Sequence, residues 1–204
     1  HTSQEGFHTR QMHGGAMKIS YARLEFCGQR HIHGSYCLHF HLVGKCPECV
    51  FQGNAIDDSQ QIGITVHGTH DALVDNNVIY NARGQGIYIQ DGNEMNNTIS
   101  SNVVTCESHS ICNIMKKTGL YMLGMTNHIL HNRISSYENT VFTQGGGKGE
   151  GLASWRVCTQ NTPFGRWKGN VGHAGSRFGL YLNNQFSRNV TRDADGYITD
   201  WNSC

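Results

Sequence analysis

Short stretches of alternating apolar and polar residues recur along the chain, and each opens on a glycine. They read GITVHG, GIYIQDG, GLYMLG, GLASW and GLYLNN, beginning at Gly63, Gly86, Gly119, Gly151 and Gly179. A second phrase, an asparagine followed by a short apolar stretch, recurs between them at Asn54, Asn77, Asn102, Asn132, Asn170 and Asn189. Repetition at intervals of roughly 20 to 35 residues is typical of solenoid proteins.

Each repeat predicts three strands of about three to five residues, separated by corners rich in glycine, asparagine and aspartate. Glycine and asparagine tolerate the left-handed backbone that such corners need. No segment has the period of a long helix, and no two-residue hairpin turns join the strands. The sequence therefore predicts an all-β fold, a right-handed parallel β-helix in one domain over residues 1–204, with loops inserted into its later coils. A sandwich of short antiparallel strands is the alternative.

Stacked coils would place the recurring asparagines above one another at one corner. Asn54, Asn77 and Asn102 are then expected to form a ladder in which each side-chain amide bonds to the next coil.

Alternation also predicts which side chains point outward. Aligning CLHFH with GITVH places Leu38 and Phe40 inside and His39 and His41 outside. One outward column would contain His39, Thr65, Tyr88, Tyr121, Ala153 and Tyr181. The adjacent column would contain His41, His67, Gln90, Leu123, Trp155 and Asn183. Neighbouring coils lie about 4.8 Å apart, so His41 and His67 are expected to reach a common ligand.

Exposed aromatic rings beside hydrogen-bonding groups suit a sugar, which has an apolar face and a polar edge. This pattern predicts sugar-binding positions at Tyr88, Tyr121, Trp155, Tyr181 and Gln90. The alternative is that loops cover this face and that the same side chains pack beneath them.

Composition and charge limit the partners and the cellular location that the sequence predicts. The net charge is +1 and only 15% of residues are charged, so nothing indicates a nucleic-acid partner. No apolar run approaches the roughly 20 residues of a membrane span. The sequence does not begin with methionine, and we expect it to be a fragment of a larger extracellular or cell-surface protein.

Eight cysteines predict disulfides formed in an oxidising compartment. They are Cys27, Cys37, Cys46, Cys49, Cys106, Cys112, Cys158 and Cys204. Cys46 and Cys49 are expected to pair with each other or with distant cysteines, although with nearby histidines they could hold zinc. Cys106 and Cys112 could close one inserted loop. Asn96 and Asn189 begin sequons for N-glycosylation, which agrees with this compartment.

Several phrases, in order, resemble the β-helix region of the cell-surface hyaluronidases and their fibrocystin-like relatives. They are CLHFHLVG, the segment from GITVHG to IQDGNEMNN, and NTPFGRWKGNVGHAGSRFGLYL, within roughly residues 20 to 185. The resemblance picks out His39, His41, His67, Asp91 and Glu94. Gln90 departs from it, because the family phrase is acidic there. The family contains both hyaluronan-degrading members and coat or receptor-like members, so the resemblance implies the fold more than the activity.

Three interpretations of the histidines remain open. His39, His41 and His67 could bind a divalent metal such as zinc, with Asp91 completing the ligands. One histidine could act as a general base, with Asp91 or Glu94 as the acid, on a glycosidic bond. They could also be structural. Calcium bound by Asp91, Glu94 and backbone carbonyls is a separate possibility.

The sequence therefore predicts a module that binds an acidic, hyaluronan-like polysaccharide on an outward face of histidine, tyrosine and tryptophan. If the module cleaves that glycan, the chemistry is expected at His39, His41, His67 and Asp91. The alternative is a non-catalytic structural or adhesion module of a surface coat or filament, in contact with neighbouring copies or other coat proteins.

Overall fold

The computed structural model describes residues 6–12, 14–108, 110–114, 117–124, 126–144, 164–183 and 193–196. Within these ranges the chain forms 18 short strands arranged in three six-stranded sheets. None of these residues belongs to a helix long and apolar enough to cross a membrane.

Each sheet takes every third strand of the chain. The first contains β1 (Lys18–Ser20), β4 (Val50–Gln52), β7 (Leu73–Asp75), β10 (Thr98–Ser100), β13 (His128–Leu130) and β16 (Trp167–Lys168). The second contains β2 (Arg23–Glu25), β5 (Ala55–Asp57), β8 (Val78–Tyr80), β11 (Val103–Thr105), β14 (Arg133–Ser135) and β17 (Val171–His173). The third contains β3 (Leu38–Lys45), β6 (Ile64–His70), β9 (Ile87–Ile89), β12 (Thr118–Met122), β15 (Asn139–Gln144) and β18 (Phe178–Asn183).

Neighbouring strands within each sheet are parallel, and each strand lies on the equivalent strand of the preceding coil. This arrangement confirms the predicted right-handed parallel β-helix. The sandwich alternative is excluded, because its strands would pair antiparallel.

The asparagine ladder is present and is longer than predicted. Oδ1 of Asn77 accepts hydrogen bonds from the backbone N–H and the side-chain amide of Asn54, both at 3.0 Å. Its own amide donates to Oδ1 of Asn102 and to the carbonyl of Phe51, both at 2.9 Å. The same pattern continues through Asn132 to Asn170. Each ladder residue thus replaces the hydrogen bonds that the backbone loses where the coil turns.

The residue before each ladder position adopts a left-handed backbone. Its φ is 67° at Gly53, 54° at Asn76 and Ser101, 57° at His131 and 68° at Gly169. A repeated left-handed residue turns every coil at the same point, which keeps the ladder vertical.

The interior is filled by the inward column predicted from alternation. Phe40 stacks on Phe51 with ring centroids 3.8 Å apart, and Leu38, Ile64 and Ile87 are buried above one another. This core places the alternate side chains of β3 and β6, including the histidines, on the outer face of the third sheet.

Among the described residues, three disulfides brace the coils. Cys46 pairs with Cys49, one of the alternatives open from the sequence, and Cys106 pairs with Cys112, so these cysteines are not zinc ligands. The pair Cys27–Cys37 joins the region after β2 to the residue before β3 and was not predicted. Cys158 and Cys204 lie outside the described residues.

One predicted coil was assigned to the wrong segment. The fifth strand of the third sheet is Asn139–Gln144, and Phe142 pairs with both Tyr121 and Tyr181. The sequence NTVFTQ lacks the opening glycine of the other repeats, whereas GLASW has one and so predicts a coil. Phe142 stands at the column position predicted for Ala153, and Gln144 at that predicted for Trp155. Ala153 and Trp155 themselves lie outside the described residues.

The ladder makes a testable contribution to stability. Asn77→Ala should lower the free energy of unfolding by about 3 kcal/mol or more, because it leaves buried groups of two neighbouring coils without partners. Asn170→Ala, at the half-buried end of the ladder, should cost about 1 kcal/mol, since water can replace its partners. Urea denaturation measures both, and equal costs would contradict a cooperative ladder.

Candidate functional site

The outward aromatic column is covered rather than exposed. Tyr88 and Tyr121 are 1% and 4% exposed, and their rings stack at 5.1 Å. They form a second apolar cluster with Tyr36, Ile62 and Leu123. Because a sugar cannot stack on a buried ring, the structure contradicts the exposed sugar-binding positions predicted at Tyr88 and Tyr121 and supports the covered alternative.

The other predicted sugar-binding positions differ in outcome. Gln90 is also buried, so it too is not a surface contact. Tyr181 is half-buried, with its ring 4.9 Å from that of Phe142. Trp155 lies outside the described residues. No continuous sugar-binding face therefore follows from the described part of this sheet.

The histidines converge as predicted. His39 and His41 belong to β3 and His67 to β6, and the strand register pairs His41 with His67. One ring nitrogen of each histidine lies within 4.8 Å of the others. His39 and His67 are 1% and 7% exposed, whereas His41 is half-buried. His41 is thus the histidine that solvent and solutes can reach.

A bulge follows directly after the histidines. The register of β3 against β6 shifts between His41 and Gly44, and Leu42 adopts a φ of 52°. A bulge bends its strand and redirects the side chains around it, which is why bulges are common beside functional sites.

The tautomer of His39 follows from its hydrogen bond. Nδ1 lies 3.0 Å from the carbonyl oxygen of Gly34, and a carbonyl can only accept, so Nδ1 donates. Nε2 then carries a lone pair, and this buried atom has no hydrogen-bond partner among the residues described. Burial lowers the pKa of His39 to about 2, so the ring is neutral at physiological pH.

A line of polar contacts runs from Arg10 at the surface to Asp91 in the interior. Nη2 of Arg10 lies 3.2 Å from Nε2 of His41, and Nδ1 of His41 lies 2.9 Å from Nδ1 of His67. Nε2 of His67 lies 2.9 Å from Oδ2 of Asp91, which is fully buried. Since arginine only donates, His41 accepts at Nε2 and donates from Nδ1, which leaves the proton of His67 on the side of Asp91.

Electrostatics keep His41 neutral as well. Burial, together with the neighbouring His67 and Arg10, lowers its pKa to about 4, while Asp91 acts in the opposite direction.

Glu94 has a structural role. Oε1 accepts hydrogen bonds from the backbone N–H groups of Gly68 and Asp91, and Oε2 accepts one from Gly92. Burial and the nearby Asp91 carboxylate raise the pKa of Glu94, while the backbone N–H donors of Gly68 and Asp91 oppose that rise. Glu94 thus holds the turn that carries Asp91, and it lies outside the group of converging ligand atoms.

Asp91 also lies outside that group, because it sits behind His67 rather than beside the other histidines. Neither carboxylate oxygen makes a hydrogen bond of good geometry in the described ranges, although Oδ2 lies 2.9 Å from Nε2 of His67. The geometry therefore assigns Asp91 to orienting His67, and not to the set of converging ligands predicted from the sequence.

Sequence reasoning missed Arg10. The segment around it adds to the edge of β3, where Gln11 bridges Phe40 and Thr9 donates to the carbonyl of Cys37. Gly34, whose carbonyl orients His39, packs against the same arginine. The only available signal was the basic residue in the phrase HTRQMH, which has no recognisable repeat.

The comparisons with known proteins agree with this architecture. The model of the CEMIP beta-helix family matches residues 4–143, which include Arg10, the three histidines, Asp91 and Glu94. This chain belongs to the CEMIP beta-helix family.

Two relatives of this CEMIP beta-helix chain cover most of it. Human fibrocystin-L is 27% identical over 171 residues, and mouse fibrocystin-L is 29% identical over 171 residues, each covering 81% of this chain. A G8 domain-containing protein of Dictyostelium discoideum is 38% identical over 76 residues, or 37% of this chain. The chain spans only 4% of the fibrocystin-L proteins and 5% of the Dictyostelium protein. No solved structure matches it significantly.

The buried histidine predicts an acid-sensitive fold. Because the pKa of His39 is about 2 when folded and its ordinary value is 6.5, only the unfolded chain gains a proton as the pH falls below 6.5. The free energy of unfolding should therefore drop by roughly 2 kcal/mol between pH 7 and pH 5 on account of this group.

His39→Gln removes this titration and retains a hydrogen-bonding side chain. Urea denaturation of both proteins in EDTA, which keeps metal ions from competing with protons, should show a flatter pH profile for the variant. Identical profiles would contradict the neutral, buried state of His39.

Proposed function

We propose that this CEMIP beta-helix chain is an extracellular module that binds and cleaves an acidic, hyaluronan-like polysaccharide at the histidine cluster. The observation that carries the proposal is the line of contacts from exposed Arg10 through His41 and His67 to buried Asp91. It joins a surface cation suited to sugar carboxylates with an imidazole supported by a buried carboxylate.

The disulfides and a glycosylation sequon of the chain support an extracellular location. Three disulfides are formed among the described residues, and such bonds persist in oxidising compartments. Asn96, the first residue of one glycosylation sequon, is exposed at a turn. The second sequon, at Asn189, lies outside the described residues.

Arg10 is the proposed contact for the polymer. Its guanidinium is exposed beside His41, and arginine binds carboxylates through paired, charge-assisted hydrogen bonds. When a sugar carboxylate engages Arg10, Nε2 of His41 loses its hydrogen-bond donor. The lone pair released on His41 then becomes available to take a proton from a water molecule that attacks the anomeric carbon. The glycosidic C–O bond breaks, and the departing sugar oxygen takes a proton from solvent.

His41 is the proposed catalytic residue, since it is the member of the cluster that solutes can reach. His67 and Asp91 are positioning residues. His67 fixes the ring of His41 through the 2.9 Å contact, and Asp91 stabilises the positive charge that develops on the histidine pair.

Binding is tested with size-defined hyaluronan and isothermal titration calorimetry. Arg10→Gln should weaken the affinity about tenfold, because it removes one charged hydrogen-bonding group. Arg133→Gln, an exposed arginine on the second sheet, is the matched control and should bind as the unmodified protein does. Equal affinities for all three proteins would remove Arg10 from the binding site.

Cleavage is tested by incubating hyaluronan with the protein and measuring polymer length on a gel. The unmodified protein should shorten the polymer, and His41→Gln should reduce the rate at least 100-fold while its thermal unfolding stays cooperative. Tight binding without shortening would reduce the function to glycan binding. Neither binding nor shortening would favour the alternative, a structural or adhesion module that contacts neighbouring copies or other coat proteins.

A further inference from the structure

We propose that His39, His41 and His67 form a three-histidine binding site for a divalent transition metal ion of the zinc class, with one coordination position open toward solvent beside His41. This inference deepens the proposed function by naming a cofactor, and any role of the ion in glycan cleavage rests on that proposal. The binding itself is argued, and can be measured, without a polysaccharide.

The first argument is the convergence of nitrogen atoms. Two imidazole nitrogens bound tetrahedrally to one zinc ion at about 2.0–2.1 Å lie roughly 3.3 Å apart. Nδ1 of His41 and Nδ1 of His67 are already 2.9 Å apart, and no ligand atom of the three is more than 4.8 Å from another. Small side-chain rotations of His39 and His41 close the remaining distance.

The second argument is the buried lone pair of His39. Nε2 has no partner among the described residues, and burial of an unpaired polar atom is unfavourable. The hydrogen bond from Nδ1 to Gly34 leaves this lone pair free, in a ring whose centroid lies 6.0 Å from that of His67. A backbone carbonyl that fixes the tautomer of a histidine in this way is the usual outer partner of a metal ligand.

The third argument is the position of Asp91. It lies 2.9 Å from Nε2 of His67, on the opposite side of the ring from Nδ1, which faces His41. A carboxylate behind a histidine increases the ligand strength of the far nitrogen. Each buried histidine therefore has an outer partner, Gly34 for His39 and Asp91 for His67.

The chemical type of the three histidine ligands indicates which class of metal ion the site would bind. Three imidazoles suit zinc, cobalt, nickel or copper, whereas calcium takes six to eight oxygen ligands. The nearby oxygens do not provide that shell, because both oxygens of Glu94 accept backbone N–H groups and Asp91 stands behind His67. The calcium site considered from the sequence therefore lacks support in the geometry.

Three protein ligands with a fourth position open are typical of catalytic rather than structural zinc sites. When bound, such an ion would supply a Lewis acid and an activated water at neutral pH, and that water would replace Nε2 of His41 as the proposed base. His39, His41 and His67 would hold it, and Arg10 would remain at the open side for the carboxylate of the polymer.

Arg10 and the ion require different tautomers of His41. A histidine that binds the ion through Nδ1 carries its proton on Nε2, so it no longer accepts the hydrogen bond from Arg10. The positive charge of Arg10 also repels a cation. Arg10→Gln should therefore strengthen zinc binding severalfold while it weakens hyaluronan binding, an opposition that a purely structural role of Arg10 would not produce.

The test uses protein stripped with EDTA and dialysed into metal-free buffer. Calorimetric titration should show one zinc ion per chain at submicromolar affinity, and Co²⁺ should produce the intense visible absorption of a tetrahedral site. His39→Gln should weaken zinc binding at least 100-fold, and so should His41→Gln, whose half-buried position makes it the safer variant to fold. His173→Gln, an exposed histidine on β17, is the control and should change nothing.

The inference is overturned if zinc fails to bind stoichiometrically, or if neither His39→Gln nor His41→Gln weakens it. It is also overturned if calcium in equal excess displaces the zinc.

Polymer shortening with and without EDTA separates this inference from the proposed function. Stoichiometric zinc binding without shortening leaves the metal site standing and overturns the proposed cleavage. Shortening that persists in EDTA, by protein that binds no zinc, supports the cleavage and overturns the metal site.

Discussion

The placement of the three clustered histidines depends on the in-register parallel pairing of successive coils. His41 faces His67 because β3 lies on β6 with matched alternation. A slip of one residue would move both histidines into the core and the apolar column into their place. The asparagine ladder opposes such a slip, since the amide of Asn77 contacts both the coil before it and the coil after it. Fold stability and site geometry therefore come from the same hydrogen bonds.

The ladder and the histidine cluster show opposite solutions to the burial of polar groups. Asn77 satisfies its donors and acceptors within the stack, so its burial rigidifies the corner. At the cluster, by contrast, Nε2 of His39 and both carboxylate oxygens of Asp91 make no hydrogen bond within the described part of the chain. Other buried polar atoms in the described ranges also lack partners, among them those of Thr65 and Gln85. At the cluster, however, the unpaired atoms belong to neighbouring titratable groups, which is typical of a functional site.

Local repetition in the sequence was sufficient to predict the fold, the ladder and the convergence of the three histidines. These features follow from alternation and from the spacing of Gly63 and Gly86, which are properties of adjacent coils. The fifth coil was missed because its strand, NTVFTQ, opens on asparagine rather than glycine.

Other features depend on contacts between distant segments. Alternation showed that Tyr88 points outward, but the direction of a side chain does not reveal whether another segment covers it. Arg10 reaches His41 from a segment that precedes the first repeat and joins β3 through a single bridge, so no periodic signal marks it. The difference between the roles of Asp91 and Glu94 could not be predicted from the sequence for a related reason. Both are acidic residues of one turn, and only their contacts distinguish the residue that lies against a histidine from the one that holds the turn.

The cluster joins two requirements that are difficult to satisfy together. A site that acts on an anionic polymer needs a positive charge at its mouth, whereas a buried group of imidazoles must remain neutral to keep its lone pairs. The structure separates the two in space. The permanent charge resides on the exposed Arg10, and burial keeps His39 and His41 unprotonated behind it. Arg10 donates to Nε2 of His41, the member of the cluster that solutes can reach. An anion that engages Arg10 would therefore free the lone pair on this nitrogen. In the proposed function, recognition of the polymer would thereby be coupled to the chemistry of the cluster through a single hydrogen bond.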